Sequence, residues 1–276
     1  MTLPLRSPWM ALVLTAGLTT AQAQSEGAPP RWEVGAFALG VSQQAYPGSD
    51  ERLGRGLALP YALYRGRWLR ADGETVGVRA ARTQAWELDV GVAGSFGGGG
   101  DDIEARRGMP RLGTLVEFGP RLKWKLGTPS DEGGWRLALP ARAVFDLSDR
   151  LRHRGWALEP ELTHSWRATG GWRGSVGLGA ILADRALADT FYGVDAADAT
   201  AGRPAYRARS GLVAWRLSAA LNKSLNRDWR VFGFVRVDTV AGAANRASPL
   251  VRQTTGATVG IGVGYTLARS SQAGED

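Results

Sequence analysis

Residues 133–147 read GGWRLALPARAVFDL. Trp135, Leu137, Leu139, Ala141, Ala143, Phe145 and Leu147 form one alternate set, and Arg136, Ala138, Pro140, Arg142, Val144 and Asp146 form the other. A period of two is the pattern of a strand, whose successive side chains point to opposite faces. The run is more than twice the usual strand of about 5–6 residues. It carries two arginines and a proline on its second face. Such a strand needs an apolar surrounding on one side and a polar one on the other.

The pattern recurs outward from this stretch. LVEFGPRLKWKL (115–126) sets Val116, Phe118, Leu122, Trp124 and Leu126 against Glu117, Arg121, Lys123 and Lys125. WALEPELTHSWR (156–167) sets Trp156, Leu158, Leu162 and Trp166 against Glu159, Glu161 and Arg167. TVGIGVGYTL (258–267) sets Val259, Ile261, Val263, Tyr265 and Leu267 against threonines and glycines. Twelve strands are expected, at 31–42, 53–64, 67–71, 74–82, 85–96, 114–126, 134–147, 155–167, 171–183, 209–224, 228–241 and 255–267. Their connections alternate between long (43–52, 97–113, 148–154, 184–208, 242–254) and tight (65–66, 83–84, 168–171, 225–227), with 127–134 intermediate. An even number of long strands with long loops at one end and short turns at the other describes a bacterial outer-membrane barrel. The expected fold is all-β, a closed antiparallel transmembrane β-barrel of about twelve strands. Closure satisfies every backbone group between neighbours, which lipid requires.

The N-terminus agrees with export. MTLPLRSPWMALVLTAGLTTAQAQS has one early cation, Arg6, an apolar run from Trp9 to Leu18, and Ala21-Gln22-Ala23. These are the charged, apolar and cleavage regions of a secretory signal. The run is shorter than the roughly 20 residues of a spanning helix. The expected organisation is a cleaved signal peptide at 1–23 and one barrel at 24–276, in the outer membrane of a Gram-negative bacterium. The absence of cysteine from all 276 residues excludes disulfides and thiolate metal sites.

Tryptophan marks the membrane boundary. Trp32, Trp86, Trp124, Trp135, Trp156, Trp166, Trp172, Trp215 and Trp229 fall mostly near strand ends. Indole joins a large apolar ring to one N–H donor and settles at the membrane–water interface. The other face supplies lumen charges: Arg121, Lys123, Arg136, Arg142, Arg216 and Arg236, with Glu117, Glu159 and Glu161. These either fill a narrow lumen with internal ion pairs or make a weakly anion-selective pore. A net charge of +8 also suits contact with lipopolysaccharide phosphates among the outer-membrane lipids. Pro60, Pro120, Pro140 and Pro160 sit inside expected strands, each removing a ladder donor. Each marks either a weakly paired position or a kink in the wall.

No catalytic residue, cofactor site or metal site is expected. His164 and Ser165 are adjacent on a strand, so their side chains diverge. GGGGDDIE (97–104) lacks the alternating ligand spacing of a calcium loop. The arginines follow strand period and do not form a nucleic-acid patch.

GAFALGVSQQAYPGSDERLGRGLALPYALYRGRWLRAD (35–72) resembles the start of the MipA/OmpV family, named for a MltA-interacting protein. The resemblance is carried by the loop Tyr46, Gly48, Ser49, Asp50, by Pro60-Tyr61 in the next strand, and by Gly119-Pro120 in LGTLVEFGPRLKWKLG. It extends over roughly residues 31–267. It implies an outer-membrane scaffold that joins a lytic transglycosylase to a murein synthase in the periplasm. Other members are described as adhesins, which here would use loops 97–113 and 184–208. A small-solute channel is the alternative. The chain departs from the pattern by continuing eleven residues past Tyr265, and in the aspartate-bearing loop 184–208.

Overall fold

The computed structural model describes residues 29–66, 69–71, 76–94, 103–130 and 133–274. The expected signal segment lies outside them, as does the glycine run with its two aspartates at 97–102. Thirteen strands carry the fold: β1 (Trp32–Gln44), β2 (Arg52–Arg65), β3 (Leu69–Ala71), β4 (Val76–Arg82), β5 (Trp86–Gly94), β6 (Leu115–Ser130), β7 (Gly133–Asp146), β8 (Arg152–Leu158), β9 (Glu161–Arg167), β10 (Trp172–Ala183), β11 (Gly211–Ser224), β12 (Trp229–Thr239) and β13 (Thr255–Arg269). A short helix, α1 (Arg185–Tyr192), interrupts the β10–β11 connection.

Each strand pairs antiparallel with its sequence neighbour, except that β8 and β9 do not pair with each other, and β13 returns to β1 through ten residue pairs, Glu33↔Arg269 to Ser42↔Val259. The β10–β11 pairing completes an unbroken circuit. β2 joins that circuit narrowly: it meets β3 only at Tyr64↔Ala71 and Arg65↔Arg70.

The expected strand 155–167 is in fact two. β8 and β9 flank Glu159-Pro160, and both pair with β7 and with β10. They share one place in the wall, so thirteen segments occupy twelve positions. The break has a local cause, since Pro160 has no N–H to continue a ladder. Its carbonyl still accepts from Ala180 N at 3.0 Å, and the Pro140 carbonyl accepts from Glu159 N at 3.2 Å. In β6 the register to β7 passes from Phe118↔Ala143 to Arg121↔Pro140, with Gly119 and Pro120 unpaired on that side. Pro120, Pro140 and Pro160 thus lie on neighbouring wall positions as weakly paired residues. Pro60 falls in Arg52–Leu63, where β2 pairs only with β1 among the described residues.

The faces are inverted relative to a water-soluble protein. Leu178, Ile261 and Leu267 are 58%, 73% and 69% exposed on the outside, while Glu33, Glu117, Arg142 and Asp146 are buried inside. So much outward apolar surface is tolerable only against lipid. In β7, Trp135 of the expected outer set is exposed and Arg142, Val144 and Asp146 of the inner set are buried, while Ala143 of the outer set is buried as well.

Candidate functional site

The lumen has two unlike walls. From β5 to β12 it is ionic. Arg121 grips Asp89 through Nε at 3.2 Å and Nη2 at 2.9 Å. Lys123 Nζ reaches Asp89 at 3.0 Å and Glu87 at 3.4 Å. Arg142 pairs with Glu117 at 3.3 Å. Arg216 makes a two-pronged contact with Asp238 at 2.8 and 2.9 Å and stands 3.7 Å from Glu159. Glu161 accepts from the Ser218 hydroxyl at 2.8 Å. Eight of the nine charges expected in the lumen, including Arg136 and Arg236, line one cavity of about 180 Å³. The ninth, Glu117, lies behind Arg142.

The opposite wall is apolar. Phe37, Leu39 and Val41 of β1 point inward, while Ala36, Ala38 and Gly40 take the outer face. Leu39 and Val41 pack with Phe232, flanked by Phe37 and Phe234. The inward glycines of β13 make room: a Cβ on Gly260 would lie 2.4 Å from the Phe234 ring, and one on Gly262 2.4 Å from the Phe232 ring.

Below this wall, toward the chain ends, the motif residue Tyr61 donates to Glu33 Oε1 at 2.8 Å. Glu33 also accepts from Thr266 at 3.0 Å, pairs with Arg230, and stands 3.7 Å from Arg65. Sequence reading missed the parts played by Glu33 and Arg65. Their signal was present, since both lie in the inward phase of their strands.

At the end where β1–β2, β5–β6, β10–β11 and β12–β13 are joined by long connections, the described residues of those connections converge into a packed cap. Tyr46, Leu187, Phe191, Tyr192 and Leu250 are fully buried there, against the inner-wall residues Val144, Ala157 and Ile181. The family-type loop is the cap's anchor. The Tyr46 hydroxyl donates to Leu250 O at 2.8 Å, and that of Tyr192 donates to Pro47 O at 2.9 Å. Gly48 adopts φ 93°, which favours glycine, and its carbonyl accepts from Arg252 N and Gln253 N at 2.8 and 3.1 Å. Ser49 is buried, and its carbonyl accepts from Gln44 Nε2 at 2.9 Å. Asp50 is exposed.

The 184–208 loop, which fitted no family pattern, proves to be the cap's largest part. Asp184 caps α1 by accepting from Leu187 N at 2.9 Å, and Asp189 accepts from Ala208 N at 3.0 Å. Arg203 and Arg106 are spent on backbone carbonyls: Arg203 on those of Ala105, Arg107 and Asp198, Arg106 on those of Phe191 and Pro110. Burial pushes the Tyr46 phenol up to about 12, raises Tyr192 further, and lowers Arg106.

The tryptophans are distributed unevenly. Trp32, Trp86, Trp124, Trp135, Trp166, Trp172 and Trp229 ring the short-turn end, whereas Trp156 and Trp215 lie toward the cap. Trp229 packs on Tyr265 at 4.8 Å, and Trp135 packs on His164 at 4.7 Å. Ser165 turns the other way, its hydroxyl donating to Gly134 O at 3.4 Å. The tail beyond Tyr265 is tied in. β13 runs to Arg269, Pro30 bridges Ala273, Arg31 N donates to Gln272 O at 2.8 Å, and Gly274 N donates to Pro29 O at 2.7 Å. Residues 29–31 and 270–274 thereby form one paired rim, which Arg65 braces through Pro30 O at 2.9 Å.

The family model described as MltA-interacting protein MipA matches residues 34–267. The chain belongs to the MipA family. That span holds the whole barrel wall except the outer ends of β1 and β13. No curated protein matches the chain. Among solved structures this MipA-family chain is similar to the NanC porin at 10% identity and a TM-score of 0.41, covering 84% of this chain and 100% of that one. It is similar to a bacterial polysaccharide outer membrane secretin at 10% identity and a TM-score of 0.38, covering 86% and 99%. A Pseudomonas aeruginosa FadL homologue gives 10% identity, a TM-score of 0.32, and coverage of 86% and 90%. Family and fold together make this a Gram-negative outer-membrane protein.

Proposed function

We propose that this MipA-family protein is a capped outer-membrane barrel that serves as a scaffold. Its short-turn rim would hold a murein-degrading lytic transglycosylase, and through it a murein synthase, at the inner face of the membrane. The observation that carries this reading is the paired rim, in which residues 29–32 and 270–274 extend the β1–β13 ladder beyond the wall. Outer-membrane barrels present their short turns to the periplasm, where murein enzymes work. The family description, MltA-interacting protein, points to the same partner class.

The other end suits the outer leaflet. Arg150, Arg152, Arg185, Arg207, Arg209 and Arg246 are exposed there, among the long connections. They are available to lipopolysaccharide phosphates. The cap weighs against free solute passage, and catalysis has no part in this reading.

The test is a chemically crosslinked pull-down of tagged protein from intact envelopes. Enrichment of a lytic transglycosylase or murein synthase over an unrelated barrel supports the scaffold. Recovery of the bait with neither enzyme, together with steady conductance of the refolded barrel, would replace it with a channel.

A further inference from the structure

A scaffold does not account for the lumen cavity. Its volume of about 180 Å³ slightly exceeds the roughly 150 Å³ that admits a benzene molecule. Six cationic and two acidic side chains line it. The carboxylates that hold four of those cations, Asp89, Glu117 and Asp238, are not part of the lining. The charged groups on the lining itself are therefore mostly cationic, with their counter-charges one layer behind.

The cavity is also amphipathic at short range. The Arg236 guanidinium lies over the Phe234 ring, 5.4 Å from its centroid. Ala138 and Pro140 extend the apolar patch. A cation beside an aromatic face matches a ligand with an anionic group on a compact apolar body. A buried donor on the same lining points to an anionic ligand as well: Arg142 Nε has no hydrogen-bond partner among the described residues. Buried polar atoms in native proteins are nearly always paired. None of the cap's described residues lines the cavity, so the site is distinct from the cap.

We propose that the lumen is a binding site for a small aromatic carboxylate or sulfonate. Its anionic group sits among Arg236, Arg142 and Arg136, and its ring sits on Phe234 and Ala138. Filling the site stabilises the ionic wall from within and does not require passage through the cap. The inference is independent of the scaffold role.

The test is calorimetric titration of the refolded full barrel in detergent. Benzoate is the probe, benzyl alcohol the neutral isostere, and an unrelated barrel the control for micelle partitioning. The proposal expects saturable one-to-one binding of benzoate and at least about tenfold weaker binding of the alcohol. Arg236→Gln should weaken benzoate by a similar factor. Ala138→Phe, which fills the cavity, should abolish binding while the heat-modifiable folded band persists. No saturable benzoate signal, equal affinity for the alcohol, or retained binding in a folded Ala138→Phe protein would each overturn the site. Should either variant fail to fold, the benzoate–alcohol comparison on the unaltered protein still decides.

Discussion

The Tyr46 hydroxyl donates to the Leu250 carbonyl at 2.8 Å across 204 residues of sequence, joining the first long connection to the last. Both residues are fully buried. Tyr46→Phe keeps the ring and strips that carbonyl of its donor. An unsatisfied buried acceptor costs about 1–3 kcal/mol. Proteolysis of the 240–254 connection in the folded barrel should accelerate by about tenfold or more, because cleavage follows the open population. An unchanged rate would mean that the tyrosine is not what closes the cap.

Alkali should open the cap in a defined window. Burial raises the Tyr46 phenol from 10.0 to about 12, and Tyr192 is raised as well. A folded-state value above the unfolded one means that the closed cap holds the phenolic proton more tightly than an open cap does. The stabilisation is therefore whole below about pH 10 and declines as pH rises toward about 12. Tyrosinate absorbance and cap proteolysis should rise together through that interval. In Tyr46→Phe the absorbance change should shrink. Ionisation near the ordinary tyrosine value, with the cap still protected, would contradict the burial seen here.

Gly119 of β6 sits hard against the backbone of β7. A Cβ there would lie 2.3 Å from the Ala141 carbonyl oxygen. The obstacle is backbone on a paired strand and cannot simply swing away. Gly119→Ala should lower the yield of heat-modifiable barrel well below that of Gly54→Ala, where a Cβ meets nothing within 4 Å. Equal yields would show that the wall relaxes freely at this point.

The ion pairs of the lumen should behave as buried ones. Asp238→Asn leaves Arg216 with Glu159 at 3.7 Å as its remaining carboxylate. Breaking one side of a buried pair costs about 3–5 kcal/mol, whereas replacing both sides with packed apolar residues is often neutral. The urea midpoint of the folded band should fall in Asp238→Asn and largely recover in Arg216→Met with Asp238→Leu. Failure of the double variant to recover would assign the pair a role beyond charge balance.

Much of the wall was legible because lipid outside and charge inside write a period of two into the chain. The stretch 133–147 shows it residue by residue, and β6, β7, β10, β11 and β13 lie close to their expected places. The pattern was weaker in the middles of β1 and β2, at 36–41 and 56–60, where both faces are apolar. There the inward residues are the larger ones, Phe37, Leu39 and Leu57, and small residues face out. Side-chain size, not polarity, distinguishes these faces, and hydropathy alone cannot rank them. The break at Pro160 was visible as a proline, but not as a division between two strands. α1 was missed because its eight residues lie in a loop. Its signals were the capping Asp184 and the Leu187, Ala188, Phe191, Tyr192 spacing. The cap depends on contacts such as Tyr46 with Leu250, which no local window contains.

The scaffold role can be tested most directly by photo-crosslinking from single positions in living cells. A photoreactive side chain would replace Gln272 on the paired rim, or Asp195 in the cap connection. The account predicts a lytic transglycosylase adduct from position 272 and none from position 195. Adducts from 195 alone, or none from 272 with the barrel correctly assembled, would contradict a periplasmic scaffold.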